Sequence, residues 1–307
     1  MKKTSSLLAI FAGLTLAAQA VPHKILFFSK SSGYEHDVIS WKNGQPSFAE
    51  KVFLEIGETE GWTFEFSKDG SKFSPEYLGQ FDTVIFYTTG DLTKEGRDKQ
   101  PPMTADGKQA LLDYIKAGNG FIGLHCATDT FHTSKDGKEL SRYENHGENA
   151  DPYICMIGGE FIVHGAQQEA TNRVINPKFP GFENAGESFT LKEEWYTLKD
   201  FNPDIHALTV MESSKMNGPM YQRPDFPTTW ARGEGKGRVY YSAMGHREDI
   251  WTHDLFKNML IGAIKWTTGE VDAEIPSNLE EVAPEAMKLT APPAPKEKKQ
   301  RDVKPKK

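Results

Sequence analysis

Cysteine is nearly absent: Cys126 and Cys155 are the only two in 307 residues. That excludes a disulfide-stapled scaffold and a four-cysteine zinc site. Whether the two pair is left open, because pairing needs their Cα atoms within about 4.4–6.8 Å. Also missing is any apolar run near the roughly 18 residues of a membrane-spanning helix, so no span is expected. Positive charge is scarce in the body of the chain. The formal charge is −7, and Lys2, Lys3 and a tail with seven basic and two acidic residues mask a body of about −14. Phosphate backbones are held by basic stripes, so so acidic a body argues against a nucleic-acid partner. Hydrophobic residues at 37% and charged residues at 26% are nevertheless ordinary for a globular chain, which removes the disordered and fibrous classes.

The two ends read differently from the middle. Lys2-Lys3, the short apolar stretch Leu7 to Ala17 and the small residues Ala18-Gln19-Ala20 form an export-signal pattern over residues 1–20, with cleavage after Ala20. The apolar stretch is too short for an uncleaved anchor, so the expected location is periplasmic or secreted. An extension begins near residue 271. Its last part, 291–307 (APPAPKEKKQRDVKPKK), cannot bury enough apolar surface to offset the entropy of ordering, and is expected to be disordered.

Residues 21–270 read as one α/β domain in which short apolar runs alternate with amphipathic stretches. Strands are expected at Lys24–Phe28, Trp62–Phe66, Phe81–Tyr87 and Gly120–His125, with helices over Ser47–Gly57 and Ala105–Ala117 between them. That alternation predicts a mostly parallel sheet with helices on both faces. Later strands are expected at Glu169–Val174, Ala207–Met211, Thr228–Arg232 and Arg238–Ala243, and a closing helix over Asp254–Thr267. Residues 133–150 are polar and read as a surface excursion.

Ligands of open α/β sheets bind outside the carboxyl ends of strands, and there the polar residues of this chain collect. Ser32-Gly33-Tyr34-Glu35-His36-Asp37 follows the first strand, and Gly120-Phe121-Ile122-Gly123-Leu124-His125 ends the fourth. Gly158-Gly159 precedes His164, then come Glu194-Trp195-Tyr196, Trp230 with Gly237-Arg238-Val239, and Gly245-His246. In these blocks, kept in order across residues 22–268, the sequence resembles the trehalose utilisation protein A (ThuA-like) family. The resemblance implies the fold of class I glutamine amidotransferases, which is flavodoxin-like, and a link to sugar metabolism.

Amidotransferases set a cysteine on a sharp strand-to-helix turn between small neighbours. Here Gly123 and Ala127 flank His125, and Cys126 is one place off, so the chain is not expected to be a glutamine amidotransferase and Cys126 reads as packing. His36, His125, His164 and His246 come from separate loops and suit a divalent metal, zinc above all. No nucleotide cofactor is expected. Each histidine could instead be a hydrogen-bonded loop residue. His125 and His246, with Glu194, are the candidate catalytic groups, able to polarise a carbonyl or move a proton. Tyr34, Asp129, Trp195 and Tyr196 are the candidate contacts for a small carbohydrate: a disaccharide, glycoside or keto-sugar. A non-catalytic carbohydrate-binding protein would use the same pocket. The export pattern predicts a mature N-terminus within a residue or two of Val21, and intact-mass spectrometry of cell-extracted protein that retains Met1 or Lys2 would contradict it.

Overall fold

The structure, a computed structural model, describes residues 22–292; the expected export signal and nearly all of the tail expected to be disordered lie outside the described residues. In chain order the elements are β1 (Lys24–Phe28), α1 (Phe48–Glu60), β2 (Thr63–Ser67), α2 (Pro75–Leu78), β3 (Thr83–Phe86), α3 (Ala105–Ala117) and β4 (Gly120–Leu124). The polar excursion carries a small hairpin, β5 (Ser134–Lys135) and β6 (Lys138–Glu139), and leads to α4 (Pro152–Ile157). Then follow β7 (Glu160–His164), β8 (Gln168–Val174), β9 (Ser188–Glu193), β10 (Tyr196–Lys199), β11 (His206–Met211), β12 (Phe226–Glu234) and β13 (Gly237–Ser242). Three helices close the chain: α5 (Glu248–Trp251), α6 (Asp254–Thr267) and α7 (Leu279–Val282).

Local chemistry explains the boundaries. The Ser47 hydroxyl accepts from the Glu50 N–H while the Glu50 carboxylate accepts from the Ser47 N–H, a reciprocal cap that starts α1. Gly61, with φ at 76°, ends it in the left-handed conformation that glycine adopts without strain. The chain then turns straight into β2, which pairs in parallel with β1.

Nine strands form the main sheet in the order β2-β1-β3-β4-β13-β12-β11-β8-β9. The first five positions run parallel, and their order is the flavodoxin-like 2-1-3-4-5 with β13 in fifth place. From β13 outward every pairing is antiparallel, so the sheet is mixed rather than mostly parallel. The reason is the connections. Parallel neighbours need a crossover of a dozen residues or more, usually helical. The chain supplies α1 and α3 before β4, but β12 turns directly into β13 with Glu234 opposite Gly237. β7 and β10 form a separate antiparallel pair, with Tyr196 opposite His164. No described helix is long and apolar enough to cross a membrane.

Residues beyond α6 pack back on the body. The Arg238 guanidinium donates to the Trp266 and Val271 carbonyls and pairs with Asp272, and Arg223 donates to the carbonyls of Leu198 and Ala286. Both cysteines are free, Cys126 buried and Cys155 half-buried.

A buried charge network fastens the β7–β10 pair to the loop after β4. Glu160 accepts from Lys199 Nζ at 3.0 Å and the Thr133 hydroxyl at 2.8 Å, and lies 2.8 Å from His132 Nδ1. Lys199, itself buried, also reaches Asp200 at 2.6 Å. Burial alone would raise the Glu160 pKa, but the His132 hydrogen bond and the Lys199 charge outweigh it and bring the carboxyl from 4.5 to about 2. A folded-state pKa below the unfolded one adds stability that is complete above the unfolded value and lost as pH falls through the folded one. Denaturant unfolding should therefore show stability falling between about pH 4.5 and about pH 2. Glu160→Gln should cost about 2 kcal/mol at neutral pH and flatten that acid limb; an unchanged limb would remove Glu160 as its source.

Candidate functional site

Four chain segments deliver one cluster at the carboxyl edge of the parallel strands. His36 lies on the loop after β1, His125 directly after β4, and His246 just beyond β13. Glu194 sits between β9 and β10, which carry it in from the antiparallel half. One ligand atom from each of these four lies within 4.8 Å of the others. The three imidazole rings form a nearly equal triangle, with centroid separations of 5.0, 5.2 and 5.3 Å.

The position of His125 is built at a cost. Its φ is +43°, a left-handed conformation that costs a non-glycine residue about 1–3 kcal/mol. The turn closes because Gly123 has no side chain: a Cβ there would come 2.7 Å from Ile157 and 3.2 Å from Ala127. Around it, Tyr241 donates to the His125 carbonyl at 2.7 Å. Nδ1 of His125 is 3.0 Å from the Ala243 carbonyl, which can only accept, so Nδ1 carries a proton; Nε2, which presents a lone pair whenever the ring is neutral, lies 3.7 Å from Glu194 Oε2. His246 is fixed through its backbone. Glu193 Oε1 accepts from the N–H groups of Gly245 and His246, both at 2.7 Å, while Tyr87 and Trp251 donate to the Gly245 carbonyl.

Three of these imidazole nitrogens are buried without a hydrogen-bond partner among the described residues: His36 Nδ1, His125 Nε2 and His246 Nδ1. The last is 3.2 Å from Glu194 Oε2, close enough for charge attraction but out of line for a hydrogen bond. Burial, reinforced by the imidazoles of His125 and His246, pushes the His36 pKa well below its ordinary value and keeps that ring neutral. Burial alone would raise Glu194, yet His125 and His246 outweigh it and hold the carboxyl well below the usual range. For His246, burial opposes protonation, and the Glu194 and Glu193 carboxylates overcome it and raise the pKa. A neutral imidazole, an outward lone pair and an ionised carboxylate are the donor set of a divalent metal site.

Of the other candidate residues, Tyr34 is 56% exposed and Tyr196 is buried; both line a cavity of about 300 Å³ with His36, Asp129, His164 and Glu194. Tyr196 packs its ring 4.3 Å from that of His125. His164 is not in the four-group cluster. It lies outside Glu194, with Nδ1 3.3 Å from Glu194 Oε1, and Glu194 takes the place expected for it. Trp195 does not face the cavity. It is 1% exposed and its indole N–H donates to the carbonyls of Gln168 and Leu191, because the residue after Glu194 turns back into the core. Cys126 is buried beneath the turn, and burial pushes its thiol well above the ordinary value.

Glu193 is the site residue that inspection of motifs passes over. Its signal is periodicity: β9 alternates exposed and half-buried residues, and that alternation puts Glu193 on the inward face with Phe189 and Leu191. A carboxylate there has to be answered, and Glu193 accepts from three N–H groups, the third its neighbour Glu194 at 2.7 Å. Glu193→Gln replaces an acceptor by a donor facing donors. It should lower stability by about 2 kcal/mol, whereas Asp37→Asn, on an exposed carboxylate of the same edge, should stay within about 0.5 kcal/mol; equal melting temperatures would refute the pinning role.

Comparison with known proteins agrees with this architecture. A ThuA-like protein from Bacteroides uniformis ATCC 8492 superposes with a TM-score of 0.59 at 21% identity, covering 83% of this chain and 95% of its own. Another, from Parabacteroides merdae ATCC 43184, superposes at 0.50 with 15% identity, covering 84% and 94%. At these identities the likeness speaks for the fold. No curated protein matches the sequence. Residues 24–267 match the ThuA family, described as trehalose utilisation, and the chain belongs to that family.

Proposed function

We propose that this chain is a metal-dependent enzyme of sugar metabolism, exported from the cytoplasm, that acts on a disaccharide, glycoside or keto-sugar in the cavity above His36, His125, Glu194 and His246. One observation carries the metal: each of the three histidines that cluster with the ionised Glu194 carboxylate has a buried ring nitrogen without a partner among the described residues. Unpartnered buried polar atoms cost about 1–3 kcal/mol each, and a cation answers all three at once. Three imidazoles and one carboxylate are a donor set of the kind zinc takes. The sugar reading rests on the family and on a cavity whose wall mixes aromatic rings with carboxylates and imidazoles.

A bound metal would supply Lewis acidity toward a sugar oxygen. The remaining roles fall to the chain. Glu194 is too weak a base to collect protons, and its charge serves to hold the cation. His36, His125 and His246 would be the imidazole ligands, and the Ala243 carbonyl fixes the proton of His125 on Nδ1. His164, 40% exposed and beside Glu194, is the imidazole left free to move a proton. The buried, protonated Cys126 thiol offers no nucleophile.

Protein purified without an affinity tag should contain about one zinc per chain by elemental analysis. His125→Ala and His246→Ala should lose the metal and turnover while keeping a cooperative thermal transition. A metal-free wild-type chain that cannot be loaded, or variants with undiminished zinc, would overturn the reading.

A further inference from the structure

We propose that a second cavity beside the cluster is the subsite for the second ring of an uncharged two-ring sugar, joined to the first ring's place at Asp129. The proposal rests on the sugar reading above and says where the substrate's other half lies. This cavity has a volume of about 520 Å³, and the one over the cluster about 300 Å³. Asp129 lines both. Adjacent residues divide between them, Gly33 lining the second cavity and Tyr34 the first. Where the two loops meet, each is pared to backbone. A side chain at Gly90, whose φ is +76°, would come 2.7 Å from the Gly33 nitrogen, and one at Gly33 would come 3.2 Å from Thr89.

Four carboxylates, Asp91, Asp129, Glu139 and Asp151, outnumber the three cations of the wall, and of those cations only the exposed Lys94 has no carboxylate partner among the described residues, so the balance of charge disfavours an anion. Asp151 takes Lys108 on both oxygens at 2.7 Å, and Arg142 bridges Glu139 at 2.5 Å and Asp129 at 3.3 Å. A phosphate or carboxylate ligand would have to compete with these carboxylates for the same donors, and would lie against their negative charge. Neutral hydroxyls need no such exchange, since each can donate to a carboxylate and accept from an N–H. Asp129 is arranged for this. His132 Nε2, at 2.6 Å, and Arg142 both approach its Oδ1, which leaves Oδ2 without a donor among the described residues and open to a sugar hydroxyl. The far side of His132 is held by Glu160, so the Asp129 carboxylate has a rigid support reaching into the buried network.

Calorimetric titration of the purified chain with trehalose and with methyl α-glucopyranoside, zinc content being measured in parallel, tests the assignment. Trehalose should bind at least about tenfold more tightly than the one-ring sugar. Ser134→Trp, at an exposed lining position, fills the cavity, and Gly137→Trp narrows it from the hairpin turn. Ser134→Trp should bring trehalose down to the one-ring affinity while leaving that affinity and the zinc content as in wild type, and Gly137→Trp should shift trehalose the same way. Equal affinities in the wild type, no binding of either sugar, or variants that weaken both sugars alike would overturn the subsite. A wild type without zinc that still prefers trehalose would defeat the metal reading alone.

Discussion

The parallel pairing of β4 with β13, in the register that sets Leu124 opposite Ser242, is the constraint on which the site depends. Both strands end there, so His125 and the turn leading to His246 emerge side by side. The same register puts the Ala243 carbonyl against His125 Nδ1 and the Tyr241 hydroxyl against the His125 carbonyl. A one-residue slip would turn every side chain of β13 to the other face and separate the two histidines. The short hairpin fixes β13 against β12, because a two-residue connection leaves the returning strand no freedom to slide past its partner.

That rigid edge holds an arrangement that is unfavourable by itself. Ten buried side-chain polar atoms lack partners among the described residues, and three of them belong to imidazoles of one cluster. A left-handed histidine stands among them. Costs of this kind persist only where the surroundings over-determine the conformation. Here they do: fully buried Tyr87, Trp251 and Tyr241 donate to backbone carbonyls on either side of the cluster, and the aromatic core beneath leaves no room for relaxation.

How far the sequence discloses this follows from the kind of signal involved. Continuous apolar runs announce buried strands, so β1, β3 and β4 were legible, as were the helices ended by Gly61 and Gly118. The strand ends then point to His36, His125 and His246, since residues after parallel strands share one edge. Glu194 was legible as a carboxylate within the polar blocks. What carried no local signal was partnership across the antiparallel half. The apolar residues of β7 and β10 look alike whether the strands join the main sheet or pair with each other, and only their separate pairing moves Glu194 inward and His164 outward. Trp195 shows the same limit. Next to a polar motif it reads as a sugar platform, yet its side chain is an anchor whose N–H is spent on two backbone carbonyls.

Glu193 and Glu194 show how adjacent carboxylates can do opposite work. Two negative charges this close repel unless each is answered separately. The first is spent on the backbone: its oxygens accept three N–H hydrogen bonds, and its charge fixes the loop of His246. The second is turned by the start of β10 toward the imidazoles, whose attraction holds it ionised. The N–H of Glu194 is itself one of the donors to Glu193, so the hydrogen bond that quiets the first carboxylate also orients the peptide that carries the second. The pair is thereby divided between building the site and charging it, and the neighbouring network at Glu160 and Asp129 repeats the division, with the inner carboxylate tied to Lys199 and the outer one left to face the cavity.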